Sequence, residues 1–270
     1  MNRFTEFEHE GWQRVADKYD SVWASSTRQF IPSLLDAAEV AGKMAVLDMG
    51  CGPGYASAAS SERGAVPIGL DFSRQMIAIA KRMFPRIEFH EGDAQNLPFA
   101  DDTFDRVVAN FALLHLAAPE RACAEACRVL KRGGRFGFTT WAHLKENPFV
   151  KLVDDAIQAH ANLEVDLPPG PPYYLFEGAD EFRKALERAG FDGASMTFRV
   201  HTIEWKVPTA RFIFDAELKA GVRTAGLLAG QTPETLGAIQ SAIEKAVQPY
   251  GRGDGFAIPK AAYIVAVRKP

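Results

Sequence analysis

The sequence predicts an α/β protein built on a doubly wound, mostly parallel sheet. Three observations carry that prediction. Short apolar runs recur between about residues 45 and 140, and helical patterns alternate with them. The first run, Val46-Leu47-Asp48-Met49, opens into Gly50-Cys51-Gly52-Pro53-Gly54, with glycines at alternate positions. The second run ends on Asp71, and the third is followed at once by Asp93. A strand that stops, turns tightly and feeds a helix leaves bare backbone facing a ligand at the carboxyl edge of the sheet.

Each element follows from local pattern. Residues 10–40 carry two helical stretches. Trp12, Val15, Ala16, Tyr19 and Val22-Trp23 recur at helical spacing, and Phe30, Ile31, Leu34, Leu35 and Ala38 do so around Pro32, a helix-start residue. Strands are expected at 45–49, 66–70, 87–91, 104–110 and 135–140. Helices are expected at 55–62, 73–83 with Ser73 near the N-cap, and 119–130 before Lys131-Arg132-Gly133-Gly134. Strand–helix alternation at this spacing covers a parallel sheet on both faces. Residues 142–178 break the rhythm with Pro148 and Pro168-Pro169-Gly170-Pro171-Pro172, and read as an irregular connection or lid. A helix returns at 179–189, a strand follows over 191–207, 209–250 is helical, and 257–267 is the last strand.

Composition narrows the function. The chain has 270 residues, 47% hydrophobic and 24% charged, with a net charge of −3. No basic excess marks a nucleic-acid binder, since such binding rests on phosphate neutralisation. The N-terminus lacks the apolar segment of a signal peptide, and the longest uncharged run, 107–118, is too short to span a bilayer. A cytoplasmic location is expected. Three cysteines, Cys51, Cys123 and Cys127, make no disulfide framework, and no further ligands accompany them for a metal.

The glycine turn departs from the dinucleotide pattern G-x-G-x-x-G, because Tyr55 stands where the third glycine belongs. Asp48 just before the turn repels a pyrophosphate and suits a cationic ligand. Asp71 sits where a carboxylate accepts from both ribose hydroxyls. Asp93 is placed to accept from an adenine amino group. Taken singly, each also reads as a plain loop, a helix cap or an Asp turn.

Together with Phe104-Asp105, Asn110-Phe111-Ala112-Leu113-Leu114-His115 and Arg128-Val129-Leu130-Lys131-Arg132-Gly133-Gly134, these stretches resemble class I S-adenosylmethionine-dependent methyltransferases. The resemblance is to the group that includes ubiquinone and menaquinone biosynthesis enzymes, and it covers residues 40 to 141. It implies a Rossmann-like, seven-stranded sheet whose last strand is antiparallel, with added helices forming a cap. It implies one methyltransferase domain over 1–270, with a core of about 40–141, 179–207 and 255–270 and cap segments 1–40, 142–178 and 208–250. The implied cofactor is S-adenosylmethionine, leaving as S-adenosylhomocysteine. Gly50, Gly52 and Gly54, with Asp48 and Cys51, would pass under its methionine part. Asp71 would hold the ribose. Asp93, Ala94 and Gln95 would frame the adenine, with Phe72 or Met76 packed on it. Asn110 and Phe111 would lie near the reactive methyl, and Tyr19 would close over the cofactor.

His115 is the expected catalytic base, since imidazole titrates near neutrality and follows the fourth strand, and it is also a cofactor-wall candidate. His143, His201, Tyr173 and Tyr174 are secondary candidates. The cap segments hold aromatics and no basic cluster, which points to a neutral or apolar small-molecule acceptor and leaves a homodimer open. Two other classes stay open from sequence: a non-catalytic S-adenosylmethionine-binding protein and a nicotinamide-dependent oxidoreductase.

Overall fold

A computed structural model describes residues 2–172, 174 and 178–270. Its centre is a sheet in which β1 (Ala45–Met49) lies between β2 (Val66–Asp71) and β4 (Phe104–Asn110), parallel to both. β3 (Glu88–Glu91) extends it beyond β2, and β5 (Leu130–Trp141) beyond β4, again in parallel. β6 (Asp192–Val207) forms the far edge, and a two-residue β7 (Gly251–Arg252) pairs with β8 (Gly255–Arg268). β8 inserts antiparallel between β5 and β6, so the order is β3-β2-β1-β4-β5-β8-β6. The expected seven-stranded sheet with an antiparallel last strand is present, with β7 as an added edge.

Alternation along the strands divides the two faces. Val46 and Val108 pack with α3 (Ile31–Ala37) and α4 (Tyr55–Glu62). Leu47, Met49, Val107 and Ala109 face the opposite layer, with α6 (Pro119–Val129) and α8 (Ala179–Arg188). α5 (Arg74–Met83) begins at Ser73, whose hydroxyl accepts from Met76 N, and ends on Lys81-Arg82. Cys123 and Cys127 are buried in the α6 layer, as small core residues.

Three boundaries differ from the sequence reading. The first helix, α1 (Arg3–Val22), starts seven residues before residue 10, capped by Asn2, whose side chain accepts from Thr5 N. Its first turns carry Glu6, Glu8 and Glu10, which mask the apolar stripe. β5 starts at Leu130, immediately after α6, because the Lys131–Gly134 turn is taken up in the strand through a register shift against β4. The stretch 142–178 is not irregular throughout: α7 (Pro148–His160) fills its first half. Pro148, read as a breaker, occupies the helix start, where its missing N–H costs nothing, and Asn147 caps it while donating to Ala261 O at 2.7 Å. Tyr173 lies outside the described residues.

Around the carboxyl edge sit α1, α2 (Ala24–Thr27), α7, α9 (Ala210–Ala220), α10 (Arg223–Ala229) and α11 (Pro233–Ala246). Phe149, Trp205, Phe214, Ile239 and Ile243 are buried in their shared core. Phe212 packs at its margin and Phe214 inside it, as expected for core aromatics.

Candidate functional site

The order β2-β1-β4 makes β1 the point where the sheet switches direction, and connections diverge from it to either side. The crevice this opens holds a cavity of about 430 Å³, within the size range of small-molecule sites. Asp48, Gly50, Cys51 and Gly52 line it from β1, Asp71, Phe72 and Met76 from β2 and α5, and Asn110 and Phe111 from β4. The structure therefore brings together most of the residues singled out in the sequence.

The glycine turn is shaped by backbone need. Gly50 (φ +72°) and Gly52 (φ +52°) adopt the left-handed region. A Cβ on Gly50 would lie 2.4 Å from Ala112 Cβ, whereas one on Gly52 would meet nothing within 4 Å, so open space lies over the turn at Gly52. Gly54 (φ +88°) serves packing instead: it starts α4 with its bare face against Phe89. Asp48 is not at the loop mouth but beneath it, fully buried. Its Oδ2 accepts from Ser57 Oγ at 2.6 Å, while Oδ1 has no hydrogen-bond partner among the described residues. Burial pushes the Asp48 carboxyl up to about 6 against the Ser57 hydrogen bonds, with Asp71 adding to the rise. The Cys51 thiol is pushed well above its usual value by burial and by the two carboxylates, which makes it a wall rather than a nucleophile.

Asp71 accepts from Gly52 N and Ser73 N, both at 2.8 Å. Each bond uses one oxygen, so a further lone pair on each is available for a hydroxyl. Burial lifts its carboxyl to about 6, while those backbone donors and the nearby His115 and His9 pull it down. Gly92 and Ala94 line the cavity, whereas Asp93, which is exposed, and Gln95 are not part of its lining. Asp93 Oδ1 accepts from Gln95 N and Nε2, and Gln95 Oε1 accepts from Ala118 N at 2.8 Å. Phe111 has φ +57°, a strained conformation for an aromatic residue. Its N–H donates to Thr139 Oγ1, Thr139 donates to Asn110 Oδ1, and Asn110 Nδ2 donates to Thr27 O. The chain end of β4 is thereby fixed to the cap, and Phe111 stacks on Trp141 at 4.0 Å.

Tyr19 lines the cavity from α1 with its hydroxyl 3.0 Å from Thr27 Oγ1. His115 also lines it, with Nδ1 3.0 Å from Glu8 Oε2. Glu8 is fully buried and accepts from Trp12 Nε1 at 3.2 Å and Arg223 Nε at 2.9 Å as well. Burial pushes its carboxyl up, but His115 and Arg223 together outweigh that and hold it below the usual range. An ionised Glu8 can only accept, so the proton of the shared bond sits on His115 Nδ1. Arg223 completes the latch with Pro171 O and Leu114 O. Glu8 and Arg223 escaped the sequence reading. The spacing Phe4, Glu8, Trp12, Val15, Tyr19 puts Glu8 on the apolar stripe of α1, a signal available in principle.

The other end of the cavity is aromatic, with Trp23, Trp141 and Phe149 in its wall, and holds Lys260 and Glu217, which the sequence reading also passed over. Tyr174 lines the cavity and meets His143 edge-on at 5.7 Å. His201 lies apart, near Ser33 and Phe30. Among the described residues no helix is long and apolar enough to cross a membrane, and no cluster of potential metal ligands occurs.

A doubly wound sheet with a glycine turn at its switch point and carboxylates on the first two strand ends defines an α/β protein whose ligand crevice lies at that switch point. Comparison with known proteins narrows the class. A methyltransferase-domain family model matches residues 47–138. A demethylmenaquinone methyltransferase from Paenarthrobacter aurescens is 35% identical over 171 residues, 60% of this chain and 67% of that protein. In fold, the YcgJ protein of Bacillus subtilis superposes with a TM-score of 0.58 at 18% identity, covering 90% of this chain and 99% of that one. An N-methyltransferase of Haemonchus contortus, solved with phosphomonomethylethanolamine and S-adenosylhomocysteine, gives 0.58 at 19% identity, covering 99% and 60%. The chain belongs to the class I S-adenosylmethionine-dependent methyltransferases of the menaquinone-biosynthesis kind. It is an enzyme of methyl transfer to a small-molecule acceptor.

Two measurements test the energetics of the site. Glu8→Gln removes a buried carboxylate that accepts from Trp12, His115 and Arg223, and should cost about 3 kcal/mol in denaturant unfolding; a loss within about 0.5 kcal/mol, the range of an ordinary surface change, would contradict the latch. Asp48 carries a higher pKa folded than unfolded, so its contribution favours the fold at low pH and is lost as pH rises to about 6. That loss is on the order of 2–3 kcal/mol. Asp48→Asn should therefore gain stability relative to the parent as pH rises from about 4 to about 7, and a pH-independent difference would count against the buried charge.

Proposed function

We propose that this chain binds S-adenosylmethionine over the glycine turn and seats its acceptor in the aromatic end of the same cavity. The continuity of that cavity, from Gly52 and Asp71 to Trp141 and Phe149, is the observation that carries the reading. When bound, the cofactor supplies an electrophilic methyl on a sulfonium, with an ammonium and ribose hydroxyls beside it. The residues present fit such a group. Asp48 Oδ1 is a buried oxygen in need of a donor, the Gly52 backbone faces open space, and Asp71 retains lone pairs for the ribose. Phe72, Met76 and Ala94 supply the apolar walls an adenine needs, and Asp93 stands exposed next to Ala94 in the chain. The H. contortus neighbour, with S-adenosylhomocysteine on the same fold, supports this assignment. A nicotinamide cofactor fits less well, since its pyrophosphate would meet the acidic underside of the turn.

His115 is assigned the proton-accepting role. Glu8 fixes its protonated nitrogen as Nδ1 and leaves the Nε2 lone pair for an acceptor O–H or N–H. Tyr19 and the α1 latch exclude water from this end, which a methyl transfer needs more than it needs acid–base help.

Two experiments check the reading. Calorimetry with S-adenosylhomocysteine should give a 1:1 complex that weakens at least about tenfold in Asp71→Ala; unchanged affinity would remove Asp71 from the ribose role. His115→Gln should retain S-adenosylhomocysteine binding and lose about 10²–10⁴-fold in turnover. Normal turnover at saturating cofactor, with weakened cofactor binding, would instead make His115 a wall residue.

A further inference from the structure

The register of β8 collects an unusual set of side chains on one face. Lys260 shares a face with Ile258 and Ala262, two residues to either side. Trp205 of β6 stands opposite Ile258, and Trp141 of β5 opposite Ala262. Both indoles therefore flank the Lys260 side chain, and Trp23 and Phe149 close over it from the cap. The Nζ atom lies 4.6 Å from the Trp23 ring centre, 4.2 Å from Trp141, 4.3 Å from Phe149 and 4.5 Å from Trp205. The cage is itself rigid: Trp23 stacks on Trp205 at 5.6 Å, and Trp205 Nε1 donates to Ser25 Oγ at 2.9 Å.

An ammonium buried to 1% exposure is costly unless it is paired. The rings offset part of that cost through their negative faces. Among the described residues Nζ donates one hydrogen bond, to Ser26 Oγ at 3.4 Å, which leaves donors over. No ion pair among the described residues includes Lys260. Glu217 of α9 is buried and close enough for its charge to be felt by Lys260, with the Thr224 side chain also beside it. Burial drives the two groups toward their neutral forms, the ammonium downward and the carboxyl upward, and each charge opposes that drift in the other. Both line the cavity, which thus contains a caged lysine with unused donors and, among the described residues, no anion in ion-pair contact.

We propose that Lys260 is the acceptor-recognition residue, and that the acceptor is a flat, largely apolar molecule carrying one acidic oxygen, a phenol, enol or carboxylate, which seats on the Lys260 ammonium. Glu217 is a positioning residue that sets the charge balance of the seat. The acceptor body would lie against Val150, Val153, Ile157 and Leu227, which line the same chamber. The seat is next to the reaction end: Trp141, a wall of the cage, stacks on Phe111 at the tip of β4. This revises the neutral or apolar acceptor expected from the cap segments, since the lysine sits on a core strand. It rests on the functional reading above only in placing the acceptor beside the cofactor.

Matched probe pairs test it: 4-nitrophenol against 4-nitroanisole, and 2-naphthoate against methyl 2-naphthoate. Each is titrated into the full chain by calorimetry at pH 8, with and without saturating S-adenosylhomocysteine. The anionic member of at least one pair should bind about tenfold or more tighter than its methylated partner, equivalent to about 1.4 kcal/mol. Lys260→Met and Lys260→Gln should abolish that preference with S-adenosylhomocysteine affinity unchanged, and Lys260→Arg should restore it. Glu217→Gln should strengthen anion binding. Failure of every anionic probe to bind, equal binding within both pairs, or a preference that survives both neutral substitutions would overturn the proposal. Loss of S-adenosylhomocysteine binding in the parent protein would strike the cofactor reading alone, because the probe preference is also read without it.

Discussion

The parallel pairing of β1 with both β2 and β4 is the constraint on which the molecule is built. A parallel strand must be reached by a crossover, and the crossovers from β1 and β4 leave in opposite directions. No helix can then cover the carboxyl ends of β1 and β4 from within the repeat. Three features converge on that gap: the turn Gly50–Gly54, the carboxylate of Asp71, and the Asn110–Phe111 tip. The buried acid Asp48 and the strained Phe111 are local costs that the rest of the sheet holds in place. Both stand where a ligand would meet the protein.

The second constraint is the Glu8 carboxylate. It collects Trp12, His115 and Arg223, and Arg223 in turn reaches the Leu114 and Pro171 carbonyls. One buried charge therefore joins α1, the turn after β4, the loop after α7 and α10 into a single roof. Gln13 extends the same roof to the start of α5, where its amide oxygen accepts from Ser73 and Gln75. Cap and core are tied by polar contacts with defined directions rather than by apolar area alone, which fixes the roof in one register.

What could be read from the sequence was what is local. The strands from β1 to β4 and their helices follow from runs of apolar residues and turn glycines, and the glycine-turn end of the cavity is spelled out by contiguous stretches at strand ends. The aromatic end is not contiguous: Trp141, Phe149, Trp205 and Lys260 come from four elements and Trp23 from the junction of α1 and α2, and strand register together with the docking of the cap brings them together. Lys260 lies among Ile258, Ala261, Ala262 and Tyr263 in a strand buried on both faces, so its place in the interior was implicit there. Glu8 was hidden by neighbouring acids that make the first turns of α1 look solvated. α7 was missed because Pro148 reads as a breaker unless it is recognised as a first-turn residue.

The placement of β8 has a consequence for how the protein is made. Among the described residues β6 pairs only with β8, and β8 must itself enter between two strands already distant in sequence. Joining β5 to β8 spans more than a hundred residues, a closure whose entropy is lost before its contacts form. The sheet edge and the aromatic cage around Lys260 therefore depend on this long-range closure. The glycine-turn end of the cavity, assembled from β1, β2 and β4, closes over shorter loops. Topology thus sets unequal entropic costs on the two halves of the cavity, the aromatic half being the costlier to assemble.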